Sequence, residues 1–141
     1  MLKTIPPILS PELFKVLMEM GHGDEIVLAD ANFPAATMAR QLVRADGHDI
    51  PELLDAILQF LPLDTYVDMP VALMDVVPGD DYEPKIWDEY SAIIERRERV
   101  VELEFMERFA FYERAKEACA IVATGERSLY ANVILKKGVV A

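Results

Sequence analysis

The sequence predicts an α/β fold: one domain with a central sheet, mostly parallel or mixed, flanked by helices. Two patterns carry this. Short apolar runs rich in β-branched residues, such as Ile26-Val27-Leu28 and Ala120–Ala123, alternate along the chain with stretches whose apolar residues recur at helical spacing. The length of 141 residues, 52% of them hydrophobic, suits a single sizeable core, and disorder is not expected. No internal repeat or low-complexity segment divides the chain, so residues 1–141 are expected to form one domain.

Ile5 to Leu9 is apolar and interrupted by prolines, an extended lead-in. Ser10-Pro11-Glu12 has the chemistry of a helix start: a serine cap, proline in the first turn and an acid facing the amide dipoles. Leu13, Val16, Leu17 and Met20 share one helical face, and Gly21 suits the C′ position. This first helix therefore ends immediately before His22, whose flanking Gly21 and Gly23 permit a tight turn or a positive φ. A buried strand is expected over Glu25–Ala29, then a turn at Asn32-Phe33-Pro34, a short helix through Ala35–Ala39 and a strand over Gln41–Arg44. Ile50-Pro51-Glu52 opens a helix with Leu53, Leu54, Ile57, Leu58 and Leu61 on its apolar face, ended by Pro62. After a polar bend at Asp64-Thr65-Tyr66 comes a strand over Val71–Val77, closed by Pro78-Gly79-Asp80-Asp81. A helix follows over Ile86–Arg97, with Trp87, Tyr90, Ile93 and Ile94 on one face. The mixed charges from Glu95 to Arg99 read as a solvated surface. The chain finishes with a short strand over Val100–Phe105, a helix over Glu107–Lys116, a strand over Ala120–Ala123 and a last strand over Tyr130–Lys137.

Composition narrows the function classes. A net charge of -11 argues against nucleic acid or an anionic membrane surface as a partner. No apolar run reaches the length of a membrane span, the first residues lack a signal-peptide pattern, and the expected compartment is the cytoplasm. The single Cys119 fits a reducing compartment and, in its apolar surroundings, is expected to be buried and inert. A mean hydropathy of +0.15 alongside so much charge points to apolar surface covered by other copies of the chain.

The strong catalytic signatures are absent: no phosphate loop, dinucleotide glycine fingerprint, CxxC pair, HExxH or G-x-S-x-G. Two histidines and one cysteine, far apart in sequence, give no metal-ligand spacing, and His48 lies in turn-rich company and is expected to be exposed. What remains is a set of polar groups at element ends: His22, Asp30, Asp64, Arg108, Tyr112, Tyr130 and Asn132. Carboxylate, amide, phenol and guanidinium groups together can clasp a polyol. Each also has a plain structural explanation. His22 can be a surface or capping residue. Arg108 and Glu113 can be surface partners. Tyr112 can be a core residue with a wet hydroxyl, and Asn132 a turn residue.

Six blocks resemble the L-fucose mutarotases, which share a superfamily with the ribose pyranases. They are Met-Gly-His-Gly-Asp-Glu at 20–25, Asp-Ala-Asn-Phe-Pro at 30–34, Arg-Ala-Asp-Gly at 44–47, Leu-Asp-Thr-Tyr at 63–66, Arg-Phe-Ala-Phe-Tyr-Glu-Arg-Ala at 108–115 and Tyr-Ala-Asn-Val-Ile-Leu-Lys-Lys-Gly at 130–138. The His-Gly-Asp opening is shared with the pyranase branch, whereas Arg-Phe-x-Phe-Tyr-Glu-Arg points to the fucose branch. The resemblance implies an α/β fold, a ring-shaped homo-oligomer (a decamer in bacterial members) and active sites built at subunit interfaces. It places the proton donor at His22 and the sugar-binding carboxylate at Asp30. An arginine of the site falls on Arg108, and a tyrosine with binding and catalytic roles on Tyr112. A Tyr-Gly-Asn binding segment falls on Tyr130-Ala131-Asn132, and Asp64 and Met74 match positions lining the pocket in animal members. Ala131 departs from the usual glycine; should that position need positive φ or close approach to the sugar, its methyl would tighten the pocket. The implied activity is interconversion of the α and β anomers of L-fucose and related monosaccharides by acid–base ring opening, with no cofactor and no metal. The alternatives are a D-ribose pyranase, a non-catalytic monosaccharide-binding module and a purely structural oligomer.

Overall fold

The computed structural model describes all of residues 1–141. Six strands form one mixed sheet: β1 (Glu25–Ala29), β2 (Leu42–Ala45), β3 (Val71–Met74), β4 (Leu103–Met106), β5 (Ala120–Thr124) and β6 (Val133–Lys136), in the order β2-β5-β1-β6-β3-β4. The pairs β1·β5, β2·β5 and β3·β4 are parallel, and β6 runs antiparallel to both β1 and β3. Five strands therefore share one direction, and their carboxyl ends lie along one edge of the sheet.

Both faces of the sheet are covered, which is why its central strands read as continuous apolar runs. Alternation along β1 sends Ile26 and Leu28 into one core and Val27 and Ala29 into the other. The larger core is closed by α1 (Pro11–Glu19), α3 (Ile50–Ile57) and α4 (Ile86–Arg97), through residues such as Leu13, Leu53 and Tyr90. The smaller core is closed by α2 (Ala35–Met38) and α5 (Arg108–Glu117), through Ala35, Phe111 and Ala115.

The helix starts follow the expected chemistry. Ser10 caps α1 by accepting from the Leu13 amide, and Asp49 caps α3 through Glu52. Glu107, read as the first residue of a helix, is instead the cap of α5 and accepts from the Phe109 and Ala110 amides. The helix from Ile50 is shorter than its apolar face suggests: it ends at Ile57, and Leu58–Phe60 are turn. Gly21 does not supply a left-handed C′ residue; α1 ends in extended backbone at Met20, and the positive φ falls on Gly23.

β2 (Leu42–Ala45, read as 41–44) and β5 (ending at Thr124, not Ala123) shift by one residue, and three strands differ by more. β3 stops at Met74 rather than Val77, because the Asp75 side chain takes the Val76 amide and starts a loop. β4 runs over Leu103–Met106 rather than 100–105. The last strand starts at Val133, not Tyr130, because Tyr130 adopts a left-handed φ of 57°, which no ladder accommodates. Cys119 is half-buried rather than fully buried; burial pushes its thiol up to about 11, so it stays protonated at neutral pH. His48 is exposed.

Candidate active site

An open cavity of about 410 Å³ lies outside the carboxyl ends of the co-directional strands, the usual position for a ligand crevice in an open α/β sheet. Each wall follows from an element end. Asp30 is the first residue after β1, and Met74 is the last of β3. Arg108 and Tyr112 stand one turn apart at the start of α5, where the Glu107 cap fixes the helix. Tyr130 and Asn132 precede β6. All six line the cavity, together with residues the sequence reading did not nominate, notably Asp80 and Val77 from the loop after β3. A Pro-Gly turn rich in acids at the carboxyl end of a strand was the available signal for that loop.

Asn132 is 4% exposed, and its Oδ1 accepts the Asp30 amide at 2.7 Å. Burial raises the Asp30 carboxyl above its ordinary range, and nearby Glu126 adds to this. Amide donors at Asn32 and Phe33 and the Asn132 side chain oppose it without cancelling it. Arg108 Nε donates to the Tyr112 hydroxyl at 3.2 Å, and Phe33 packs edge-on against the Tyr112 ring. The Tyr130 hydroxyl donates to Asp80 at 2.6 Å. Its strained backbone is pinned from α4: Trp87 Nε1 donates to the Tyr130 carbonyl at 2.8 Å, and the Tyr90 hydroxyl donates to the Ala131 carbonyl at 2.6 Å.

Ala131 is fully buried and packs into the larger core. The positive φ belongs to its neighbour Tyr130, so the extra methyl neither strains the chain nor tightens the cavity.

His22 and Asp64 are elsewhere. His22 precedes β1, at the amino ends of the co-directional strands. The length of β1, about 13 Å for five residues, separates it from Asp30. His22 Nε2 lies 3.0 Å from Oδ1 of Asp64, and the exposed Tyr66 ring packs against the imidazole at 5.1 Å. Asp64 is 3% exposed. Burial raises its carboxyl, but the Tyr66 amide and the imidazole outweigh that and hold it below the ordinary carboxylate range. The backbone is closely packed at this corner: a Cβ on Gly138 would come within 2.6 Å of the Leu63 carbonyl. One chain thus carries two polar clusters at opposite ends of its sheet. The cavity holds Asp30, Met74, Arg108, Tyr112, Tyr130 and Asn132, and the second cluster holds His22 and Asp64.

A larger groove of about 770 Å³ runs under the N-terminal segment, between Leu2, Pro6, Phe14 and Met18. Its walls are apolar with a few exposed charges and no convergent polar groups, so it lacks the makings of a reactive site.

The chain and its fold have close relatives. The chain is 54% identical over 146 residues to a human protein named fucose mutarotase, covering 99% of this chain and 95% of that one. It is 50% identical over 140 residues to an L-fucose mutarotase of Actinobacillus pleuropneumoniae, covering 99% and 97%. The crystal structure of a Streptococcus pneumoniae fucose mutarotase in complex with L-fucose superposes with a TM-score of 0.94 at 59% identity, covering 99% of this chain and 100% of that one. Residues 3–140 match the RbsD / FucU transport protein family, and with relatives this close over nearly the whole chain, this protein belongs to that family.

Proposed function

We propose that this protein is an L-fucose mutarotase, an isomerase that interconverts the α and β anomers of L-fucose. The carrying observation is the cavity. Its carboxylate, amide, guanidinium and two phenols converge beside apolar Met74, in a chain closely similar to a protein crystallised with L-fucose. Polar groups of this kind hold ring hydroxyls, and Met74 offers an apolar seat for the 6-methyl group.

The reaction opens and recloses a hemiacetal. The anomeric hydroxyl loses its proton, the ring oxygen gains one, and the bond between C1 and the ring oxygen breaks. Rotation about C1–C2 followed by reclosure inverts C1. An acid and a base must therefore flank the hemiacetal, each contributing on the order of 10²–10⁴ in rate. His22 is the acid, since an imidazole ring can both carry and give up a proton. Tyr112 is the complementary relay. Asp30, Arg108, Tyr130 and Asn132 bind and orient the sugar.

His22 reaches the cavity only from another copy of the chain, because a single chain keeps the two clusters a sheet-length apart. The active unit is accordingly a homo-oligomer, a ring-shaped decamer, with Asp64 and His22 of one copy closing the Asp30 cavity of the next. Exposed Tyr66 beside His22, and exposed Phe109 and Leu129 near the cavity, support such a seam. Residues 1–141 work as one functional domain. The lone, unreactive thiol is consistent with a cytoplasmic setting, and no helix is long and apolar enough to cross a membrane.

Exchange NMR on L-fucose tests this. Saturation transfer between the two anomeric protons should exceed the solvent rate in proportion to protein concentration. Sugar binding with exchange left at the solvent rate would make this a binding module. Catalysed ring-size exchange of D-ribose, without anomer exchange of L-fucose, would make it a pyranase.

A further inference from the structure

We propose that Asp80 is a positioning residue: it takes the hydrogen of the Tyr130 hydroxyl and so turns that phenol into a hydrogen-bond acceptor toward the sugar. The inference rests on reading the cavity as the sugar site and assigns one polarity within it.

A phenol has one hydrogen to give and lone pairs to accept with. The Tyr130 hydrogen is committed to Asp80 Oδ2 at 2.6 Å. The other carboxylate oxygen, Oδ1, accepts the Tyr82 amide at 3.0 Å, which anchors the acid in its own loop. The bond to Tyr130 holds the Asp80 carboxyl below its ordinary range, so at neutral pH Asp80 is an anion and can only accept. The same bond raises the Tyr130 phenol, so its oxygen stays neutral. The remaining contact on the Tyr130 oxygen is the Val77 amide at 3.4 Å, a long and weak donor, which leaves room for one more. Trp87 and Tyr90 grip the carbonyls of the left-handed residue and of its successor, and the Tyr82 ring lies 6.0 Å from the Tyr130 ring. The phenol is thereby held where Asp80 can reach it.

The other phenol of the cavity is in the opposite state. Tyr112 receives a hydrogen from Arg108 Nε, and a guanidinium has no lone pair to take one back. No protein group accepts the Tyr112 hydrogen, so that phenol can donate. The two tyrosines are therefore not interchangeable: a sugar hydroxyl must donate to Tyr130, whereas a sugar oxygen can accept from Tyr112.

Fluorinated sugars separate donating from accepting, because fluorine keeps the size of a hydroxyl and cannot donate. Binding of L-fucose and its 2-, 3- and 4-deoxyfluoro analogues would be compared for wild type, D80N, D80E and Y130F. One analogue should bind the wild type about tenfold more weakly than L-fucose, the worth of one good hydrogen bond. In D80N the side-chain oxygen keeps the Tyr82 amide and the new amide group faces Tyr130, so the Tyr130 hydrogen is released and that gap should close. Y130F should also close it, and D80E should retain it. Ultraviolet titration should show one tyrosine ionising at lower pH in D80N than in wild type, with the change abolished in D80N/Y130F. A merely structural Asp80 would weaken all sugars alike. Equal discrimination by wild type and D80N, or none by either, overturns the proposal. Failure of the wild type to bind L-fucose at all would instead overturn the sugar-site reading itself.

Discussion

Asp64 decides which nitrogen of His22 is available. Its carboxylate is buried, ionised and already engaged by the Tyr66 amide, so the nearby Nε2 of the imidazole is the donor in that pair. Nδ1 is then the nitrogen without a protein partner, on a side chain that is 45% exposed in the single chain, and in the proposed role it is the one that, once protonated, hands its proton to the sugar. His22→Ala should lower the catalysed anomer exchange by about 10²–10⁴ and also lower the thermal midpoint slightly, because it takes one partner from the buried Asp64 carboxylate while the Tyr66 amide remains. Asp64→Asn should give a smaller loss of kcat with little change in KM, because it disturbs the orientation of the imidazole rather than the sugar clasp. NMR exchange rates at several sugar concentrations separate the two. Asp64 was legible in the sequence as a polar bend, as one of the candidate polar groups and, by resemblance, as a pocket-lining position. Its partnership with His22, 42 positions earlier, is a tertiary fact.

At the scale of elements, α3 and α4 are bound together by charge as well as by packing. Asp55 on α3 accepts from Arg97 Nε at 2.8 Å and from Arg96 at 2.8 Å, both in the last turn of α4. The Arg97 hydrogen bond is the largest influence and, with the one from Arg96, outweighs the opposing effect of burial and brings the Asp55 carboxyl down to about 2. A depressed folded-state pKa gives stability that is complete above the ordinary carboxylate value and lost as pH falls through the folded one. The network is partly exposed, so its worth is about 1 kcal/mol. Asp55→Asn should therefore be less stable than wild type near neutral pH, and the difference should fade between pH 4 and pH 2. Urea midpoints across that range measure it. The sequence showed these arginines as a solvated surface, which holds for their exposure but missed their anchor on another helix. Helix starts were readable because caps are local chemistry. The ends of β3 and β6 were not, because a side chain of Asp75 and a left-handed Tyr130 stop strands whose apolar pattern continues.

At the scale of the molecule, the two polar clusters at opposite ends of the sheet make a prediction that no single chain can satisfy. His22→Ala and Asp30→Asn should each be nearly inactive. Mixed, dissociated and reassembled, they should regain activity, since some interfaces then pair an intact imidazole with an intact cavity. Random pairing would restore roughly a quarter of the sites. Anomer exchange before and after reassembly reads this directly. An unchanged, near-zero rate would mean that His22 and Asp30 do not serve a common site across copies.

The sequence by itself determined the α/β class, the apolar runs and helix faces that pack inside and most helix starts, because periodicity and capping are short-range properties; that they sort into two cores, one on each face of the sheet, is a tertiary fact. The sequence also named six of the residues that meet in the cavity, five of them inside blocks whose resemblance to a family is local. Only the tertiary structure decided that β6 runs against its neighbours, that the strain sits on Tyr130 and not Ala131, and that Asp80 joins the cavity. It alone separated His22 from Asp30. Residues eight positions apart flank one strand, and a strand, unlike a helix, carries its two ends to opposite sides of the molecule.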